Sequence, residues 1–405
     1  MTSQPRFGRG LFGTGVLLGL MAEQVVMFAV PLLLFQDTKQ VSTLGFAFAL
    51  EWLPGLIAYP FAGLIADRDG GARLFSVVTG ARALALAVVV VVLLTRPGWT
   101  TPALMTSGAV LSVLVAPTRM SVEKMVPQLA AGEAMARTQA LVQNMELLAM
   151  ALGPALATLA AALIGKVWLL AVAASVFGLA ARQRPTEPVT ARATLRELGL
   201  GWKLMAGNRP VLLLGFLNFG INLVVASVLS ANAALVTGVF AAPDWSFALL
   251  NTCVGVVGLV NLLVIPLVLK RFEVSLLGAL GFAVLCAALL LIGIAGSFPV
   301  YAVLFIAVLT GTAYYNVFNR TQRVKVIPRE HLGKVMGPFY LLNLLSYPIA
   351  GLLVGSVGAT YGPQRLVGVL AVVLSVFGAV LLPLTMRSFR RTLTDRERLP
   401  VGVQS

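Results

Sequence analysis

"GLIADRDGGARL", residues Gly63–Leu74, sets two Asp and two Arg between long apolar runs. The flanking stretches are each about 20 residues long, enough to carry a helix across ~30 Å of hydrocarbon. Similar stretches recur along all 405 residues, of which 59% are hydrophobic and 11% charged. A soluble domain would carry about a quarter charged residues. Lipid offers the backbone no hydrogen-bond partner, so repeated stretches of this length predict a bundle of helices and not a barrel.

The sequence predicts spans near residues 11–35, 43–66, 74–94, 102–118, 138–163, 167–181, 210–236, 246–268, 276–296, 299–318, 335–357 and 364–386. Only Gly165-Lys166 separates the fifth from the sixth. Arg6 and Arg9 resemble the charged start of a signal peptide. The apolar run behind them is too long for one, and no small-residue cleavage site follows, so an uncleaved first helix is expected.

The net charge of +15 would suggest a nucleic-acid partner in a soluble protein. Its distribution points to the bilayer instead. Loops on the side of the N-terminus hold most of the 30 Lys and Arg, while the opposite loops hold Lys39, Arg96, Lys166 and Arg365. That asymmetry places both termini in the cytoplasm by the positive-inside rule. The basic tail "RSFRRTLTDRER", residues 387–398, reads as topogenic and lipid-facing, and no nucleic-acid partner is expected. Cys253 and Cys286 fall inside predicted spans and read as small buried hydrophobes. His331, the only histidine, sits in a basic loop and receives no role.

The longest polar interruption, Arg182–Arg209, follows six spans and precedes six more. Leu195, Leu198, Trp202 and Met205 within it keep helical spacing, which predicts a short amphipathic helix on the membrane surface. The two halves also repeat. "TRMSVEKMVP" follows the fourth span and "NRTQRVKVIP" the tenth. Arg119 precedes Pro127 by eight residues, Arg320 precedes Pro328 by eight, and the two motifs lie 201 residues apart. A duplicated six-helix unit explains that match. The expected organisation is therefore a first half, 1–181, a connecting loop, 182–209, a second half, 210–386, and a basic tail, 387–405. Gly15-x-x-x-Gly19 and Gly351-x-x-x-Gly355 read as helix-packing motifs.

Placed between the second and third spans, "GLIADRDGGARL" resembles the signature loop of the major facilitator superfamily, roughly G-x-x-x-D-R-x-G-R-K/R-x-x. Gly63, Asp67, Arg68 and Gly70 match in register; Gly71 and Ala72 stand where basic residues are usual, and Arg73 follows one place later. The resemblance extends over essentially the whole chain. It implies an all-α membrane protein of twelve transmembrane helices in two pseudo-symmetric halves, working by alternating access. It also implies that Asp67 faces the start of the eleventh helix, near Gly333 and Lys334, and holds the halves together on the cytoplasmic side. A carboxylate there would be favoured by the unpaired N–H groups of that helix. Asp69 is unassigned. "RVKVIPREHLGKVMGPFYLLN", residues 323–343, resembles the branch that includes enterobactin-type siderophore exporters and macrolide exporters. "ALGPALA" in the fifth span, with Gly153 and Pro154, resembles a reduced form of the glycine-proline motif of antiporters, since Ala149, Ala157 and Thr158 replace its flanking glycines. A proline there frees a carbonyl and permits a bend.

Four ionisable residues fall inside predicted spans: Glu23, Glu51, Arg82 and Glu146. Each is costly in lipid and is expected to face a water-filled cavity or a partner. Arg82 and Glu146 lie about eight residues, or ~12 Å, from the cytoplasmic ends of their spans, which makes them plausible neighbours. Burial disfavours the charged form of a carboxyl, and a nearby guanidinium favours it. Either Glu23 or Glu146 is thus a candidate to take up a proton while Arg82 keeps one carboxylate ionised; Glu51 could instead sit at a cavity mouth. A bland alternative is one satisfied Arg–Glu pair that only joins helices. The fourth span lacks the Arg that many related transporters carry.

The second half has no charge inside any predicted span. It offers amides and phenols, of which Asn218, Asn222, Asn251, Tyr314, Tyr315, Asn343 and Tyr347 are candidates to line a substrate cavity. An enzyme would need a nucleophile–base pair or metal ligands, and no clustered acids or histidines supply them. A channel would call for rings of like charge. No G-x-x-x-x-G-K-[ST] phosphate loop occurs. The expectation is secondary transport driven by a proton gradient, without a cofactor, by a monomer in a bacterial inner membrane. A siderophore-type metabolite is the favoured cargo, an amphipathic drug or macrolide the alternative, and import of a small metabolite a further one.

Overall fold

The computed structural model describes residues 6–69, 71–129, 165–182, 195–327 and 332–397. Between 129 and 165 it describes positions 138, 142, 145–146, 148–149, 152–153, 156–157, 159–161 and 163–164. Among the described residues there is no strand. The helices are α1 (Arg6–Thr38), α2 (Val41–Asp69), α3 (Gly71–Thr95), α4 (Thr100–Leu129), α5 (Lys166–Ala180), α6 (Leu195–Gly207) and α7 (Arg209–Ala233). They continue as α8 (Asp244–Val268), α9 (Val274–Ile292), α10 (Phe298–Val326), α11 (Leu332–Leu344), α12 (Ser346–Leu353), α13 (Ala359–Tyr361) and α14 (Pro363–Glu397). Wide π turns extend α7 over Ala234–Val239 and α12 over Val354–Gly358.

Ten helices among the described residues are long and apolar enough to cross a membrane, and Val167–Ala180 is a shorter apolar one. The described positions between 138 and 164 are all helical, where the fifth span was predicted. The protein is a multi-pass, all-α membrane protein.

Several predicted ends move outward. α4 runs to Leu129 and α10 to Val326, so both copies of the repeated basic motif are largely helical. α14 carries the first part of the basic tail on to Glu397. Charged residues at a span's end do not stop a helix; they only leave the apolar layer, where a helix can continue into the interface. The expected loop at residues 67–73 is likewise mostly helix, with α2 ending at Asp69 and α3 starting at Gly71.

The chain divides into two compact units, Met1–Ala193 with Ala231–Leu259, and Thr194–Ser230 with Val260–Ser405. Both α7 and α8 therefore pass from one unit into the other. In the first unit α2 and α3 pack on α4, while α1 and α3 pack on α5. Phe12 and Val16 of α1, Ala72 and Phe75 of α3, and Met125 and Val126 of α4 form one buried cluster. In the second unit α9 packs on α10 and α14, and α6 packs on α11. α6 is the expected amphipathic helix, with Met205 buried and Trp202 exposed.

Helices in lipid gain little from burial, so close van der Waals approach through small residues must hold them. A close backbone-to-backbone approach joins α9 to α10. A Cβ on Gly281 would lie 2.8 Å from the Gly311 carbonyl oxygen, and one on Gly311 would lie 2.6 Å from that of Gly281. In the first unit a Cβ on Gly55 would lie 2.7 Å from Ser112 Oγ, which accepts the Gly55 N–H at 2.8 Å. Gly19, half of the pair singled out in the sequence, is looser: its Cβ would meet Phe75 at 3.8 Å, an ordinary contact.

Gly281→Ala is expected to destabilise the protein by about 1–3 kcal/mol, the cost of overpacking a filled contact. Gly19→Ala should leave stability nearly unchanged. Thermal unfolding of the two purified variants in detergent checks this, and equal midpoints would remove Gly281 as a constraint on the α9–α10 crossing.

Candidate functional site

Phe12 and Val16 lie on the buried stripe of α1, and Gly19 and Glu23 follow on the same face at steps of three and four residues. On α3 the matching stripe is Phe75, Thr79 and Arg82. The two stripes run together from Phe12 and Phe75 and arrive at an ion pair. Arg82 Nη2 donates to Glu23 Oε2 at 2.9 Å. The Arg82 side chain is 3% exposed and that of Glu23 21%.

The third wall comes from α5. The fully buried Phe177 ring lies under the Arg82 guanidinium, 4.4 Å from its carbon to the ring centroid. A cation so placed gains about 0.5–2 kcal/mol from the ring's negative face. Arg82 Nε, also buried, has no hydrogen-bond partner among the described residues. The guanidinium is thus fixed on three sides, by α1, α3 and α5, while its carboxylate partner keeps some access.

Other sequence candidates gather in the same unit. Glu51 on α2 is half-buried and within electrostatic reach of Glu23, as is Arg119 on α4. Glu146 is half-buried as well. Of the two carboxylates considered for Arg82, the structure pairs it with Glu23. Gly153, from the helix-bend motif, abuts the neighbour of that carboxylate: a Cβ added to it would fall 2.4 Å from Gln24 Cβ. Pro154 lies outside the described residues, as do Gly70 and the side chains of Asp67 and Arg68. Gly63 lies in the helical run of α2, and Arg73 is exposed near the start of α3.

A profile of the Major Facilitator Superfamily matches residues 12–350 of this chain. The chain belongs to the Major Facilitator Superfamily. Solved structures of transporters with the same fold include a mutant of the nucleoside transporter NupG, at 12% identity and a TM-score of 0.75. That match covers 94% of this chain and 99% of NupG. A bacterial homologue of the human lysosomal transporter Spinster matches at 13% identity with a TM-score of 0.70, covering 96% and 99% of the two chains. A POT family transporter matches at 14% identity with a TM-score of 0.71, covering 94% and 96%. No curated protein sequence matches the chain.

In the second unit of this facilitator two of the amide candidates, Asn218 and Asn343, meet. Asn319 of α10 donates to Asn218 Oδ1 of α7 at 2.8 Å, and Asn218 donates to Asn343 Oδ1 of α11 at 2.6 Å. Asn343 in turn donates to the Phe339 carbonyl at 2.6 Å. Tyr315 is fully enclosed with Phe282 and Phe318, its hydroxyl without a partner among the described residues. Asn251, in the first unit, turns back on the Phe247 carbonyl of its own helix at 2.6 Å. Asn222, Tyr314 and Tyr347 are half-buried.

The sequence reading missed Asn319 and Arg323, placing both past the end of the tenth span. The apolar span in α10 runs on to Arg323, which is 6% exposed, so a span of the second half does hold a charge where the shorter predicted span held none. The longer α10 is the physical reason. The signal was the spacing of Asn319 and Arg323, four apart, which puts both on one helix face.

Arg82→Met should destabilise the protein by about 3 kcal/mol, because it strands a largely buried carboxylate. The Glu23→Leu/Arg82→Met double variant should recover part of that loss. Thermal unfolding of the single and double variants tests the pair, and strictly additive losses would show that Glu23 and Arg82 do not interact.

Proposed function

We propose that this transporter is a proton-coupled exporter of a small organic molecule, with Glu23 as the proton carrier. The Glu23–Arg82 ion pair is the observation that supports the reading. A carboxylate that is paired, mostly enclosed and still partly accessible has two separate environments to choose between. Ionised, it is held to α3 by a charge-assisted bond. Protonated, it loses most of that attraction, and α1 is released from α3. A conformational change follows only if the two states differ in interaction free energy, and protonation of Glu23 supplies such a difference. Arg82, clamped on Phe177, stays in place while its partner changes.

Alternating access gives this switch a use: the carboxylate would exchange its proton with one side in each state. Asp67 and Arg68 would latch the two halves on the cytoplasmic side, and both termini would be cytoplasmic, in a bacterial inner membrane. The export direction and a siderophore-type cargo rest on the resemblance of residues 323–343 and of Gly153-Pro154 to exporters. A macrolide or other amphipathic drug fits the same resemblance. A monomer suffices for this cycle, and the proton gradient is its energy source.

The test is transport in proteoliposomes with a catecholate siderophore and a macrolide as cargo. Glu23→Gln should cut uphill, gradient-driven transport by about tenfold or more, the scale of a lost charge-assisted contact. Counterflow exchange of the same cargo should persist. Uphill transport at the wild-type rate in this variant would overturn Glu23 as the carrier.

A further inference from the structure

Arg323 lies one turn from the end of α10, more than nine-tenths buried. Its guanidinium lies against two adjacent rings of α11, with its carbon 5.0 Å from the Phe339 centroid and 5.2 Å from that of Tyr340. Nη2 donates to the Tyr340 hydroxyl at 3.1 Å. Among the described residues no carboxylate pairs with it, and its buried Nε has no acceptor. Four residues before it on the same face, the buried Asn319 Oδ1 has no donor. Asn319 Nδ2 is engaged by Asn218, which is held in turn by Asn343, so the amide cannot turn without breaking that chain.

The cluster holds a buried charge with no counter-charge among the described residues. Taking a guanidinium out of water is costly, and two aromatic faces and one phenol hydrogen bond offset that cost without neutralising the charge. What is missing is an anion. Arginine presents parallel N–H groups that fit two oxygens of a planar oxyanion, and the unpaired Nε–H belongs to such an edge. The phenol that holds Nη2 is on the most exposed member of the cluster, Tyr340, at 52%. It occupies Nη2 and is the group an incoming anion would displace.

We propose that Arg323, with Asn319 and Tyr340, forms a binding site for a small organic anion carrying a carboxylate, with an aromatic or hydroxyl-bearing body. The carboxylate takes the unpaired edge of the guanidinium once the Tyr340 hydroxyl moves aside, the neighbouring rings take the flat body, and Asn319 Oδ1 accepts a hydroxyl where the ligand has one. The site lies wholly within the second unit and is separate from the Glu23–Arg82 pair. It rests on the chain being a transporter of small molecules and not on proton coupling through Glu23.

The experiment uses the full-length protein in detergent, with salicylate as the probe and salicylamide as its uncharged counterpart, followed by isothermal titration calorimetry. Salicylate should bind the wild type and salicylamide about tenfold or more weakly, since only the former pairs with a guanidinium. Arg323→Lys keeps the charge and loses the planar fork, and should weaken salicylate about tenfold while remaining monodisperse. Tyr340→Phe removes the competing hydroxyl and should bind salicylate at least as tightly as the wild type. Gly19→Ala, a loose contact in the first unit, should bind salicylate as the wild type does. Equal binding of the acid and the amide, or undiminished binding by Arg323→Lys, would overturn the proposal.

Discussion

In a bilayer every backbone N–H and C=O must be satisfied within its own segment, so helix is compulsory and cannot by itself specify how spans assemble. Assembly then falls to the distance at which helix axes can approach, and that distance is set by missing side chains. Gly281 against Gly311 is the clearest case, since each backbone occupies the space where the other's Cβ would stand. Gly55 against Ser112 does the same for α2 and α4, and adds a hydrogen bond from a backbone N–H that follows Pro54. Ionisable residues are tolerated only where such contacts bring the right partner close. Arg82 meets Glu23 because the α1 and α3 stripes are already in register at Phe12 and Phe75.

The spans, the repeat and the family signature were legible because each is a one-dimensional pattern. A long apolar run, a 201-residue offset and a charged interruption need no neighbour to be recognised. Helix ends were less legible, since hydropathy reports where the apolar layer stops and not where the backbone stops being helical. Arg323 was misplaced for that reason. Partnership between helices was least legible. Arg82 and Glu146 lie at similar depth in the sequence, yet adjacency of α1 and α3 made Glu23 the partner. The stripe of Phe12, Val16, Gly19 and Glu23 carried part of that information, because it marks Glu23 as belonging to the packed face of α1.

The two units share a further correspondence. Gly153 precedes Val354 by the same 201 residues that separate Arg119 from Arg320. The wide turn Val354–Gly358 thus occupies the register that "GPALA" holds in the first half. A π turn and a Gly-Pro pair loosen a helix by different means, one by an added residue and one by a lost N–H. In the first half Gly153 packs against Gln24, the neighbour of Glu23.

The clamped guanidinium also has an electrical meaning. Paired with an ionised Glu23, Arg82 adds no net charge to its unit. Once Glu23 is neutralised, the same unit carries one more positive charge, and moving a full charge through 100 mV is worth about 2.3 kcal/mol. Any part of the field that this charge crosses biases the cycle accordingly. Under the proposed proton coupling, the Arg82–Glu23 pair would make the transport cycle respond to the membrane potential as well as to protons.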